Sequence, residues 1–266
     1  MSTDSLSARM KAYEHDLTYR FSAGLPVILR LDGRGFSRWI TGLKRPFDER
    51  LAQMMQATTR YLVQTTGAVC GYTQSDEISL ILYSTSERQP IYFDGKREKI
   101  TSLTAVEASL FFEKHKQTVD FPEFQQQKTA MFDCRSFQVP TPTEAINYLI
   151  WREQHAVKNS IATVARHYFP LEALYHKSGL QMKAMLRSKE VCWEHFSLHH
   201  RYGSYFQRRA FEQTFSEEER QHLPPQHHAR THPAATYTRY RVVNLNLERL
   251  QDLHNAESVI FEKGAI

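Results

Sequence analysis

Cysteine is scarce: Cys70, Cys134 and Cys192 are odd in number and too far apart for CxxC spacing. Neither a disulfide framework nor a thiolate zinc cage is indicated, and a reducing, cytoplasmic setting is expected. Long apolar runs are missing too. No stretch approaches the ~18 to 20 residues of a membrane-spanning helix, and the opening MSTDSLSARMKAYEHDL is polar, without a signal-peptide core. Neither membrane insertion nor secretion is expected. There is no GxxxxGKS or GxxxxGKT loop, which excludes P-loop ATPase chemistry, and no internal repeat.

What is present suffices for a large buried core. The 266 residues are 41% hydrophobic, 12% aromatic and 24% charged, inside the globular range and far from the composition of disorder. Lysine and arginine number 34 against 29 aspartates and glutamates, a net +5 with 13 histidines besides, which suits a polyanionic partner. Charge alone is weak, since many basic proteins bind no nucleic acid.

Hydrophobic periodicity predicts a helix over 5–20, a buried strand over 25–31, and a helix over 48–65 with an acidic first turn, stopped by Gly67. Strands at 68–72 and 78–83 form a hairpin-like pair through the polar run Thr73 to Glu77. A helix over 99–118 and a strand over 133–139 ending before Pro140 complete the order β, α, β, β, α, β. That order predicts an α/β (α+β) fold, a split βαβ unit with a four-stranded antiparallel sheet and two helices on one face. Residues 1–140 form this domain. Residues 141–266 are read as a mostly helical region, with helices at 143–168 and 180–186 and candidate strands at 202–206 and 236–243. Residues 216–235 carry three prolines, four histidines and almost no large apolar side chain, and read as a mobile loop or a basic arm.

Two acidic motifs stand at neighbouring strand ends of this sheet: Asp32 in RLDGRGF and Asp76-Glu77 in QSDEISL. Adjacent unpaired carboxylates repel, raising one pKa or demanding a cation, and a hard divalent ion such as Mg²⁺ resolves the conflict. Such a pair can hold two metal ions roughly 4 Å apart, the arrangement of nucleotidyl transfer. Gly33 and Gly35 let the backbone approach a phosphate or offer a carbonyl. Arg30, Arg34, Arg38, Lys44 and Arg45 crowd the first motif, as a phosphate-handling site requires, although arginines can equally neutralise carboxylates in ordinary ion pairs. Each motif alone is a turn; together they point to a site. Glu77 is either an orienting group or a solvated carboxylate at the hairpin tip.

The succession RLDGRGFSRW, GYTQSDEISLIL, KITSLTAVEAS, FDCRSFQVP and NYLIWREQHAVKNSIATVA resembles the tRNA(His) guanylyltransferase family from about residue 25 to 168, and more weakly beyond. The resemblance implies a polymerase-palm-like enzyme that adds nucleotides to the 5′ end of tRNA after activating a 5′-monophosphate with ATP or GTP. It implies two Mg²⁺ ions held by Asp32, Asp76 and the Gly33 carbonyl, and a homo-tetramer acting on tRNA and nucleoside triphosphates. By the same resemblance Arg30, Gly33, Arg34, Gly35, Phe36, Lys44 or Arg45, Ser75 and Lys99 are nucleotide-binding, and Lys158, Asn159, Lys189 and Arg201 lie on the tRNA surface. The family's His-Ile-Asn-Asn signature after the WR dipeptide is replaced by Val157, Lys158, Asn159 and Ser160. The chain therefore resembles the guanylyltransferase-like branch, which repairs truncated 5′ ends by template-dependent 3′-to-5′ addition, pairing to the opposite strand choosing the nucleotide. Strict addition of G to tRNA(His) is the alternative, and a palm-type nucleotide cyclase a more distant one.

Cys192, Glu194, His195, His199 and His200 carry donors at intervals zinc accepts, but with one thiol, on what reads as a strand running into a loop, they cannot all converge. His155 and His167 in the long helix read as partner contacts or surface residues. A non-catalytic RNA-binding module would display aromatics on the sheet face, and the strand at 25–31 has none.

Overall fold

A computed structural model of the chain describes residues 5–16, 19–86, 88–232 and 234–263. In chain order the elements are α1 (Leu6–Asp16), β1 (Val27–Gly33), α2 (Phe36–Trp39), α3 (Glu49–Thr66), β2 (Cys70–Gln74), β3 (Glu77–Leu82), α4 (Arg97–Lys116), α5 (Glu123–Gln127) and β4 (Phe132–Gln138). There follow α6 (Pro142–Tyr168), α7 (Leu171–Leu174), α8 (Gly179–Arg187), α9 (Leu198–Tyr202), β5 (Ser204–Thr214), α10 (Glu217–His222) and β6 (Thr236–Asn244). The helix expected over 5–20 is α1, with residues 17 and 18 outside the described ones.

The six strands form one antiparallel sheet in the order β4-β1-β3-β2-β5-β6. Its first four strands are the expected split βαβ unit. The region after residue 140, expected as mostly helical, adds β5 and β6 to the same sheet. Alternation along β1 sends Leu29 and Leu31 to one face, into a core with Met55, Leu62 and Val63 of α3 and Ile100, Ala108 and Phe112 of α4. Ile28 points the other way, into a second core with Ala145, Ile146 and Leu149 of α6 and Leu245, Leu250 and Val259 near the C-terminus. Because helices cover both faces, β3 is buried along its whole length and reads as a continuous apolar run.

Local chemistry sets the helix ends. Asp48 caps α3, its carboxylate accepting from the backbone N–H groups of Lys44 and Arg50, each at 3.0 Å. Gly67 ends α3 in the left-handed conformation at φ 68°, as the sequence predicts. Thr141 caps α6, with Pro142 in its first turn. The segment expected as a loop at 216–235 contains α10, where Ser216 and Glu219 form a reciprocal capping box and Glu219 also accepts from the Tyr237 hydroxyl at 3.0 Å. These local bonds replace the core burial that the segment's composition cannot supply. Among the described residues no helix is long and apolar enough to cross a membrane.

Candidate active site

β2 and β3 are joined by a two-residue turn, Ser75-Asp76, with Gln74 opposite Glu77 and Ser75 at φ 50°. The backbone N–H of Gly33 donates to the Asp76 carbonyl at 3.0 Å, locking the end of β1 against this turn. In register, Asp32 lies between Glu77 of β3 and Asp133 of β4. The two predicted carboxylates, Asp32 and Asp76, therefore meet at one end of the sheet. Burial pushes the Asp76 carboxyl up and the Asp32 charge adds to it, while Ser75 and a backbone N–H oppose the shift.

Asp32 is held by Arg30, with Nε and Nη2 each 3.0 Å from Oδ2, and more distantly by Arg135 of β4 at 3.8 Å. Two convergent carboxylates with the Gly33 backbone beside them make an all-oxygen donor set, of the kind that fits a hard divalent cation. Among the described residues no group of three or more His, Cys, Asp or Glu side chains is placed to hold a metal.

Glu77 is not a solvated tip. It is buried and bridged by both ends of the Arg152 guanidinium, Nε to Oε1 at 2.7 Å, and burial raises its pKa against the pull of that arginine. Sequence reasoning used WR only as a landmark and so missed Arg152. Arg135 was missed as well, although the period-2 pattern Asp133, Arg135 already places it on the face of β4 that Asp32 shares.

A pocket of about 360 Å³ opens beside the Ser75-Asp76 turn, between the start of α3 and the second half of α6. Lys44, Arg45, Ser75 and Asn159 line it, so four predicted residues from three stretches of chain converge. Its apolar side is formed by Ile40, Leu43 and Leu51. His199 and His200 also line it. His199 is half-buried and bonds Ser204 Oγ at 3.0 Å, its pKa driven down to about 3 by desolvation and by His200, while His200 stacks on Phe47 and bonds Glu49 at 2.8 Å. Cys192 precedes a short 3-10 turn, Trp193–His195, rather than lying in the expected strand.

Other predicted residues fall elsewhere. The Phe36 ring is buried against Trp39, Phe112 and Phe132 with centroids 5.2 to 5.8 Å away, so its side chain serves the core and not a nucleotide. A Cβ on Gly33 would collide with that ring, giving this glycine a packing reason besides a phosphate-contact one. Gly35 and Arg34 are exposed at the start of α2, Gly35 at φ 67°. Lys99 is not brought to the carboxylates. Ser109 of α4 bonds the Phe132 N–H, near Asp32, at 3.0 Å, and Lys99 lies ten residues back along the helix, about 15 Å away. Lys158 and Lys189 are exposed on α6 and just after α8. Arg201 is packed, its guanidinium 4.9 Å from the Tyr202 ring and 5.6 Å from that of Trp193.

Residues 7–140 match the family model described as Thg1, tRNAHis guanylyltransferase. A solved bacterial tRNA(His) guanylyltransferase (Thg1)-like protein in complex with ATP is 33% identical, over 76% of this chain and 88% of its own, with a TM-score of 0.70. A bacterial Thg1-like protein in complex with GTP is 26% identical over 97% of this chain and 100% of its own, with a TM-score of 0.72. The probable tRNA(His) guanylyltransferase of Dictyostelium discoideum is 26% identical over 165 residues, 60% of this chain and 61% of its own length. With a family model spanning half its length and that fold matched, this chain belongs to the Thg1 family of tRNA guanylyltransferase-like nucleotidyltransferases.

Proposed function

We propose that this protein adds nucleotides to the 5′ end of tRNA in the 3′-to-5′ direction, repairing truncated ends by pairing to the opposite strand, after activation of the 5′ end by ATP or GTP. The observation that carries the proposal is the pocket beside the Asp76 turn, where Lys44, Arg45, Ser75 and Asn159 surround a volume within the range of small-molecule sites. Ile40, Leu43 and Leu51 take the apolar face of a base, and Lys44 and Arg45 take the phosphates. Asp32, Asp76 and the Gly33 carbonyl would hold two Mg²⁺ ions, which would supply charge neutralisation and lower the pKa of an attacking hydroxyl. Arg30 and Arg135 pair with Asp32 and balance its charge.

The altered signature supports the repair branch. Ser160, at the last position of that signature, accepts a hydrogen bond from Trp193 Nε1 at 2.9 Å in the interior, and Val157 packs in the same cluster. Both side chains support the fold, and of the four positions Asn159 and Ser160 line the pocket. The retained Asn159 favours addition of G to tRNA(His) as the second reading. On the family resemblance we also assign the protein a homo-tetrameric state, which sedimentation analysis reads directly.

The test incubates the protein with Mg²⁺, ATP and each labelled nucleoside triphosphate, using 5′-monophosphorylated tRNA(His) or a tRNA lacking its first nucleotide. Restoration of the missing nucleotide according to its pairing partner is expected. Addition of a single G to tRNA(His) alone would establish the second reading instead.

A further inference from the structure

Helix α6 separates two surfaces. Ala156, Asn159 and Thr163 face the pocket, whereas Trp151, His155 and Lys158 recur at the spacing i, i+4, i+7 on a face roughly a third of a turn away. That second face looks toward the edge strand β4. Phe137 of β4 stands edge-on to Tyr148 of α6 at 5.5 Å, Tyr148 lies 5.9 Å from Trp151, and Trp151 lies 5.0 Å from His155. Alternation along β4 puts Arg135 on the same face as Phe137, directly opposite Arg30, and Arg135 reaches Asp32.

The shelf is exposed in a way the remaining aromatic core is not. Trp39 and Trp193 are 2% and 3% exposed, but Trp151 is 45% exposed, with the Arg152 guanidinium 4.6 Å from its ring centroid. Arg135 is 63% exposed. Burial, with Arg152, Lys158 and Arg30 nearby, holds the His155 pKa down, so its ring stays neutral among these cations. A solvent-facing indole backed by arginine and flanked by cations offers a stacking plane with phosphate contacts beside it. It also ends at the Asp32 carboxylate, on a face of α6 distinct from the one that lines the nucleotide pocket.

We infer that this shelf of Trp151, Phe137 and Arg135 receives the 5′-terminal nucleotide of the RNA acceptor, stacking its base on Trp151 and placing its phosphate at Arg135. The inference rests on the function proposed above. It divides the labour of that site: the triphosphate enters on one side of α6, the RNA end on the other, and the two meet at Asp32 and Asp76. A lone base has a π-face whatever its identity, so the shelf holds any 5′ nucleotide and leaves the choice of the incoming one to the opposite strand.

Trp151 is the exposed one of three tryptophans, so its fluorescence reports the contact without turnover. Titration of the full chain with 5′-monophosphorylated tRNA lacking its first nucleotide, in the absence of triphosphate, should quench the emission saturably. Trp151→Ala should weaken tRNA binding roughly ten-fold and raise the KM for tRNA alike, with the KM for ATP unchanged, and Trp151→Phe should restore most of the affinity. Arg135→Ala should lower the salt dependence of binding by about one phosphate contact. Unchanged tRNA affinity in Trp151→Ala, an equal loss toward ATP, or quenching by a nucleoside monophosphate as tight as by tRNA would overturn the shelf. Wild-type protein that binds tRNA with quenching but adds no nucleotide would sink the repair activity and leave the shelf standing.

Discussion

Asp32 and Asp76 have distinct surroundings that suit one task. Asp32 is partly exposed and held by two arginines, whereas Asp76 is pressed into the turn with its pKa raised by burial. Replacing either with alanine removes half of the carboxylate pair while leaving the basic surfaces intact. Nucleotide addition should therefore vanish in Asp32→Ala and in Asp76→Ala, with tRNA affinity in a filter-binding assay within about two-fold of wild type, since phosphate contacts dominate that affinity. Retained transfer in either variant would refute the two-carboxylate site. Both residues were legible in the sequence because a carboxylate at a strand end or in a two-residue turn can face few places. Where Lys99 stands relative to the carboxylates was not legible, because an exposed lysine on a helix is placed only by the packing of that helix, here of α4 on β4.

Helix α3 carries the front wall of the pocket, and its start depends on Asp48. Hydrogen bonding to the Arg50 side chain, against some desolvation, lowers the Asp48 pKa from 3.8 to about 2, with the Lys44 and Arg50 backbone N–H groups assisting. A carboxyl depressed on folding contributes stability that is fully present above its unfolded value and is lost as pH falls through the folded one. The stability difference between wild type and Asp48→Asn should thus be constant above about pH 5 and shrink toward zero by about pH 2, measured by urea denaturation across that range. Asp48→Ala, which removes the cap as well, should cost about 1 to 2 kcal/mol at neutral pH. The helix and its Gly67 stop are local, so the sequence showed them. The capped turn of α10 was less legible, because proline and histidine richness hides a Ser216–Glu219 box whose stabilising partner, Tyr237, lies across the hairpin.

Across the layers, the sheet and α6 are joined by one buried ion pair, Glu77 with Arg152, 75 residues apart in sequence. Removing one partner strands a charge in the interior at a cost of about 3 to 5 kcal/mol, whereas replacing both by apolar groups of similar size is often neutral. Arg152→Ala should accordingly lower the thermal midpoint by about 10 °C, and the pair Glu77→Leu with Arg152→Met should recover most of that loss. A double variant as unstable as the single one would show that the ion pair has a further structural role.

The residue order alone established the four-stranded split βαβ sheet, its two covering helices and the meeting of Asp32 with Asp76, because alternation, helical periodicity and short turns act over a few neighbouring residues. Long-range packing settled the rest. The addition of β5 and β6 to the sheet, the burial of Phe36, the pairing of Glu77 with Arg152, and the shelf beside α6 all depend on which faces come together across gaps of tens to more than a hundred residues. No local pattern encodes such a pairing, since the energy that selects it comes from apolar area and charge matched only once the chain has closed on itself.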